Sequence, residues 1–463
     1  MKDLKADFEK LRKGDVKIGK PDPVYPSQGL LLTPYDGFGS VKTQMLPKKL
    51  IAKTLQLRMF FLEMFNHPYR IQNLKKVSKS KFKAPKVIKS SVSFSMALAI
   101  GDIGAKVVGS QKGRISRSER YGQGPFVKLG RQARTFFVGS ASPDVWNSSL
   151  AISTMAASHC LSGIPRNGVM SDIKRQADLA HEVFEYLDEL AKVLNKQELL
   201  QIWKNNVMGV LEGSPEQAMI RAEALYKKGV RCYRVYSPEP GTGPVQTVLK
   251  LRREFGSEIE IFAGQVVDVK QAKQVEAAAA DGIFVGIGGG GRCITGVRSG
   301  SVIDWPELIW KLRGQIKIPV VVEGGASDHV AVALLLGASG IGVSRIVSGG
   351  TIESPGGLLY CSDENGNLFK PYGGEASART KFLDGKLLPF GIPSFVEGET
   401  TKAKISFVRH ALPTLTYNLH QLIEDSILAL VFRGVENITD LQAINPSPLR
   451  QMTSSGEFQM NTH

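Results

Sequence analysis

The chain has 463 residues, enough for two or three average domains or for one α/β barrel with insertions. Hydrophobic residues make up 42% and charged residues 22%, which excludes wholesale disorder, and no apolar run reaches the roughly 18 residues of a membrane-spanning helix. The net charge of +16 favours anionic partners: nucleotides, nucleic acid or acidic surfaces.

The opening residues MKDLKADFEKLRKGD lack the apolar centre of a signal peptide. Cys160, Cys232, Cys293 and Cys361 are widely spaced, with no CxxC or CxxH pair. Neither a zinc site nor a disulfide framework is expected, and a cytoplasmic setting is. His67, His159, His181, His329, His410 and His420 show no metal-ligand spacing. The region 1–90 reads as an irregular arm, with Pro and Gly punctuating 21–37 and partial helical periodicity over 45–65. The basic run Lys75, Lys76, Lys79, Lys81, Lys83, Lys86 and Lys89 has one aromatic neighbour, Phe82, and reads as a solvated loop rather than a nucleic-acid surface.

Residues 91–140 alternate short apolar runs with Gly and are expected to hold the first barrel strands. The range 141–205 reads as a helical insertion. Its clearest helical stretch, 171–204, has Leu179, Val183, Leu187 and Leu190 on one face, half a capping box at Ser171, and a break near Asn195. From 206 to 445 the pattern turns regular. Strand-like runs at 230–236, 259–263, 282–287, 318–323 and 340–344 alternate with helical segments near 215–228, 244–255, 268–280, 304–315 and 327–337. Such alternation argues a parallel sheet covered on both faces, here a (β/α)8 TIM barrel, with a doubly wound sheet as the competing fold. No GxGxxG follows a first strand, which weakens the dinucleotide-binding version of that competitor. Residues 446–463 read as a tail.

Glycines recur just after the strands, where backbone can approach a ligand. The segment from Phe284 to Thr295 runs a buried strand into four glycines, then Arg292, Cys293 and a hydroxyl. The glycines free N–H groups for a phosphate or carbonyls for a monovalent cation. Arg292 would favour the Cys293 thiolate, and Thr295 can donate or accept a proton beside it. The pattern suggests a covalent nucleophile acting on a phosphorylated substrate; a structural cysteine is the alternative. Glu323 ends the next strand, placed either to accept from two hydroxyls of a ribose or to form a salt bridge at the rim. Ser344 and Arg345, followed by Ser348, Gly349 and Gly350, have the composition of a phosphate cradle or of a plain turn.

Six pieces then match a known family in order and spacing: AEALYKKGV (222–230), the long segment 263–295 ending GIGGGGRCIT, PVVVEGGASDHVAVALLLGAS (319–339), ESPGG (353–357), KPYGGEAS (370–377) and FVEGE (395–399). Residues 206 to about 442 resemble the catalytic barrel of IMP dehydrogenase and GMP reductase. The resemblance implies that Cys293 attacks C2 of a purine nucleotide (IMP, GMP or an analogue), assisted by Thr295, with hydride passing to or from NAD or NADP. It implies K+ on carbonyls of Gly288, Gly290 and Cys293. Substrate would meet Gly291, Glu323, Gly325, Ser344, Arg345, Tyr372, Glu375, Ala376 and Glu397, and the cofactor would lie against Ser237, Gly286 and Gly288. A homotetramer is implied as well.

The chain also departs from that pattern. The dehydrogenases' Arg-Tyr pair, which activates water on a mobile flap, is replaced by Ala378-Arg379-Thr380-Lys381-Phe382, where Arg379 would stand in. Ser237 replaces the Asp beside the nicotinamide, and Phe284 replaces a basic residue. Tandem regulatory domains are not evident. Reductases usually have Thr where this chain has Ile294. Three functions are therefore weighed: a dehydrogenase-like oxidoreductase, a reductase-like enzyme, and a silent nucleotide-binding protein.

Overall fold

A computed structural model describes residues 30–36, 42–77, 96–98, 124–140, 142–237, 242–287, 293–326, 330–394, 396, 398–405, 412–444, 447 and 449–451. Eight parallel strands close into a barrel: β1 (Phe137–Gly139), β2 (Leu161–Ile164), β3 (Val207–Glu212), β4 (Cys232–Tyr236), β5 (Glu260–Gly264), β6 (Gly282–Val285), β7 (Val320–Val322) and β8 (Gly340–Val343). Each pairs with its successor, and β8 returns to β1 with Ile341 opposite Phe137. This is the TIM barrel expected from the alternating pattern. The strands are nearly all apolar because one face meets the barrel interior and the other meets helices.

The surrounding helices start where the sequence supplies caps. Asp268 accepts from the Gln271 N–H at 2.7 Å to open Val269–Ala277, and Asp304 accepts from the Glu307 N–H at 3.1 Å to open Trp305–Leu312. Ahead of Ile173–Val193 the cap is Asp172, not Ser171: its Oδ1 accepts from the Lys174 N–H at 2.8 Å and the Arg175 N–H at 3.3 Å. Asn195, with φ of 53°, breaks the chain after that helix.

The range 141–205 is not an insertion. It contains β2 and the helix Ile173–Val193, both integral to the barrel. Strand β2 reads LSGI, too short and too poor in β-branched residues to stand out in sequence. Its partners on either side, β1 and β3, create it. Residues 194–206 lead from that helix to β3 without an intervening domain. Within 91–140 the short strand Met96–Leu98 pairs antiparallel with Leu449–Gln451 outside the barrel. The first barrel strand, Phe137–Gly139, falls at the end of the range 91–140 where the first strands are expected, and the C-terminal stretch expected as a tail supplies a paired strand. The basic run beyond Lys76 lies outside the described residues.

Between β8 and the last large helix, Leu415–Arg433, the chain builds three strands of a four-stranded antiparallel sheet, and the N-terminal Lys42–Met45 supplies the fourth. Its strands lie in the order Lys42–Met45, Leu359–Ser362, Leu368–Gly373, Thr400–Lys404. The helix Lys48–Phe65 packs against Leu415–Arg433, with the Phe61 ring stacked on His420 at 4.4 Å. At the opposite end of the barrel, buried Arg134 forks onto both oxygens of Glu260 at 2.8 and 2.7 Å and closes the floor. No helix among the described residues is long and apolar enough to cross a membrane.

His159, just before β2, is fully buried and shares a hydrogen bond of 2.8 Å with Asn66 Oδ1. Burial, reinforced by the charge of Arg70, pushes its pKa down to about 3. The unfolded chain takes up this proton near pH 6.5 and the folded chain does not, so stability falls as pH drops through that window, by up to about 1.4 kcal/mol per pH unit. His159→Asn, which tolerates the positive φ of 63°, is expected to flatten the acid limb of a denaturation-versus-pH curve. An unchanged limb refutes the assignment.

Candidate active site

The carboxyl ends of the strands converge on one mouth. Strand β6 ends at Val285 and passes through Gly286, whose φ is 126°. A Cβ there would come within 2.0 Å of the Glu323 carbonyl oxygen, so only glycine lets the β6 and β7 ends run this close. The loop then brings Cys293 back half-buried, and its Sγ lies 3.0 Å from Thr295 Oγ1 at the start of the helix Thr295–Ser299. The backbone of Gly398 bridges both Cys293 and Ser377, which draws the segment 375–377 to the cysteine. Arg298 donates to the Val396 carbonyl and ties the same two segments together. The other three cysteines are buried, and burial pushes the Cys160 thiol up to about 12, as befits an inert position.

Glu323, at the end of β7, forms a salt bridge, the alternative expected beside a sugar contact. It accepts from Arg234 of β4 through both oxygens, at 2.8 and 2.6 Å, and from Gln265 Nε2 at 2.7 Å. The Arg234 guanidinium carbon lies 4.1 Å from the centre of the Phe284 ring and 4.9 Å from that of Tyr236. Arg166, after β2, stacks on Tyr236 at 5.2 Å and pairs with Glu375 at 3.6 Å, while Asn167 donates to the same carboxylate. Burial raises the Tyr236 hydroxyl pKa, and the charge of Glu375 adds to that.

After β8, the Ser344 hydroxyl pairs with that of Ser140 and accepts from Trp146 Nε1 at 3.3 Å. Arg345 lies 6.0 Å from the Tyr372 ring. The loop beyond folds around Lys370, whose buried ammonium donates to the carbonyls of Thr351, Ser354 and Gly357 at 2.7, 3.1 and 2.8 Å. Ser344, Arg345, Tyr372 and the Glu375–Ala376 turn thus lie on the side of the mouth fed by β8 and its sheet. Gly325, with φ of 84°, follows Glu323.

A family model for the IMP dehydrogenase / GMP reductase domain matches residues 127–463. The chain belongs to this family. Among curated relatives, inosine-5'-monophosphate dehydrogenase 1 of Arabidopsis thaliana is 30% identical over 207 residues, covering 43% of this chain and 39% of the relative. The enzyme of Aquifex aeolicus is 26% identical over 250 residues, covering 51% and 48%. That of Nitrosopumilus maritimus is 34% identical over 177 residues, covering 37% and 36%. Each of these alignments spans less than half of the relative's own length.

Membership in the IMP dehydrogenase / GMP reductase family makes the departures informative. Arg379, expected to stand in as the water-activating group, is 3% exposed and fully engaged. Its NH1 binds Asp36 at 2.8 and 2.9 Å, its Nε binds Asp144 at 2.9 Å, and its NH2 binds the Leu31 carbonyl at 2.7 Å. A guanidinium gripped by two carboxylates cannot accept a proton, so Arg379 is a clamp rather than a base. Arg234 of β4 sets its guanidinium 4.1 Å from the Phe284 ring, so a cation from another strand lies beside that position. Ser237 forms a backbone pair with β5, its N–H donating to the Gly264 carbonyl and its carbonyl accepting from the Gln265 N–H, both at 2.8 Å. Gly288, Gly290, Gly291, Arg292 and Glu397 lie outside the described residues.

Arg234, Gln265, Arg166, Asp36 and Asp144 were not singled out from sequence. One signal was there for Arg234: a charged residue inside the otherwise apolar run VRCYRVY. The remaining four sit in segments whose neighbours come from distant parts of the chain.

Proposed function

We propose that the chain is an oxidoreductase of purine nucleotides working through a covalent Cys293 adduct. The observation that carries the reading is the Cys293 Sγ–Thr295 Oγ1 pair at the end of β6, in a barrel of this family. Thr295 relays the thiol proton to the ring nitrogen beside C2 as the sulfur adds to that carbon of the purine. In the dehydrogenase direction an oxidised nicotinamide would supply the acceptor for the C2 hydride, and water then cleaves the thioimidate left on Cys293. Ser344, Arg345 and the backbone of Gly325 would hold the phosphate, Glu323 the sugar, and Tyr372, Glu375 and Ala376 the base side, with Gly291 and Glu397 completing the set.

Two buried polar atoms at the mouth, Gln265 Oε1 and Arg166 Nε, have no partner among the described residues. An acceptor and a donor so placed suit the carboxamide of a nicotinamide ring, and Ser237, Gly286 and Gly288 would line its site. NAD or NADP supplies the hydride acceptor or donor. Carbonyls of Gly288, Gly290 and Cys293 would be the donors for K+. A cytoplasmic homotetramer belongs to the same proposal.

The Arg379 clamp favours a second reading. A reductase needs no water activation: the sulfur displaces ammonia from C2 of GMP, and a reduced nicotinamide held beside Gln265 and Arg166 would supply the hydride that replaces the sulfur at C2, giving IMP. Purified protein is tested by the absorbance of the reduced nicotinamide, with IMP plus NAD and with GMP plus NADPH. A signal in the first pair supports the dehydrogenase and one in the second the reductase. Silence in both, from folded protein that binds nucleotide, favours the silent binding protein and overturns the proposal.

A further inference from the structure

The carboxylate of Glu323 has four acceptor positions, two on each oxygen. The Arg234 fork uses one on each, and Gln265 Nε2 takes the second on Oε2. Oε2 is therefore filled, and Oε1 keeps a single position. These occupants are fixed. The Arg234 and Gln265 residues are 1% and 2% exposed, and the Glu323 side chain, at 15%, is the one of the three that reaches the mouth. The stem of Glu323 is fixed as well: a Cβ on Gly342 of β8 would come within 2.8 Å of Glu323 Cγ, so β8 leaves just the room this side chain fills. A carboxylate so held cannot rotate to offer a second acceptor.

Resting on the nucleotide reading above, we infer that Glu323 accepts one hydroxyl of the sugar rather than the vicinal pair, and that Gln265 sets this limit by filling the last position on Oε2. Gln265 is thus a specificity-determining residue that acts through Glu323. A site of this kind discriminates one deoxynucleotide from the ribonucleotide and tolerates the other.

The test is equilibrium binding of IMP, 2'-deoxy-IMP and 3'-deoxy-IMP to the full chain without cofactor. One analogue is expected within about threefold of IMP and the other weaker by about 10- to 100-fold, the span of a lost hydrogen bond to a charged group. Gln265→Leu, or Gln265→Met with closer volume, frees Oε2. IMP then binds about tenfold tighter and both analogues are penalised. The wild-type comparison needs no substitution, so a variant that fails to fold leaves the inference testable. Equal penalties on both analogues in the wild type, or no penalty on either, overturn it. If IMP itself does not bind, the nucleotide reading fails first and the inference falls with it, an outcome distinct from IMP binding without the expected discrimination.

Discussion

Replacing Cys293 by alanine is expected to abolish turnover, by about 1,000-fold or more, which corresponds to some 4 kcal/mol of lost transition-state stabilisation. Nucleotide affinity is expected to stay within about threefold of the wild type, because the phosphate and sugar contacts assigned above come from β7 and β8 and not from the sulfur. The half-buried thiol lies 3.0 Å from a hydroxyl that can relay its proton, and its substitution removes one small side chain without opening the core. Cys293→Ser keeps a hydroxyl but loses a nucleophile that ionises at accessible pH, so it is expected to be nearly as inactive. The measurement is steady-state rate alongside nucleotide binding and, for the wild type, mass detection of a stoichiometric adduct on this residue. Unchanged turnover in Cys293→Ala would falsify the covalent mechanism.

The second large effect concerns stability. Arg379→Met is expected to cost about 3–5 kcal/mol, the toll of leaving buried charges without their partner. Asp36 and Asp144 are 5% and 9% exposed at their side chains, and Arg379 is their shared ion-pair partner among the described residues. Burial already pushes the Asp144 pKa up, against the pull of Arg379. In the variant this carboxyl protonates more readily still, so the destabilisation is expected to shrink as pH falls. Segment 30–36 is also expected to come loose, since Arg379 holds both Asp36 and the Leu31 carbonyl. Other tethers remain, among them the Tyr35 hydroxyl on the Gly391 carbonyl at 2.6 Å, the Tyr35–Phe382 ring contact and the packing of Leu30 on Gly356. Denaturant unfolding and limited proteolysis of the arm read the two effects. Arg379→Lys, which keeps the charge but not the fork, is expected to fall between. A variant of wild-type stability that loses only thioimidate hydrolysis would restore Arg379 as the water-activating group and sink the clamp.

The same clamp shows where sequence reading stops. Arg379 was legible as a position in a family pattern, as were its motif neighbours Tyr372 and Glu375. What the guanidinium does there depends on Asp36 and Asp144, 343 and 235 residues away along the chain. Likewise the loss of a basic residue at 284 was visible, but the cation beside that position was not, because Arg234 reaches the Phe284 ring from another strand. Strand β2 and the barrel role of 141–205 were missed for a related reason. A four-residue strand of LSGI has no periodic signal of its own and exists because two neighbours pair with it.

By itself, the sequence determined the alternation of apolar strands and capped helices from 206 onward, the glycine positions after the strands, and the Cys293–Thr295 spacing. These are local properties, set by backbone preference, periodicity and chain adjacency. The tertiary structure alone decided which strand opens the barrel, that Glu323 is shared by Arg234 and Gln265, and that Arg379 is a clamp. Barrel closure sets side chains from strands far apart in sequence against each other in one dry interior. There a charge must find its partner wherever the fold provides one, and no local pattern records that choice.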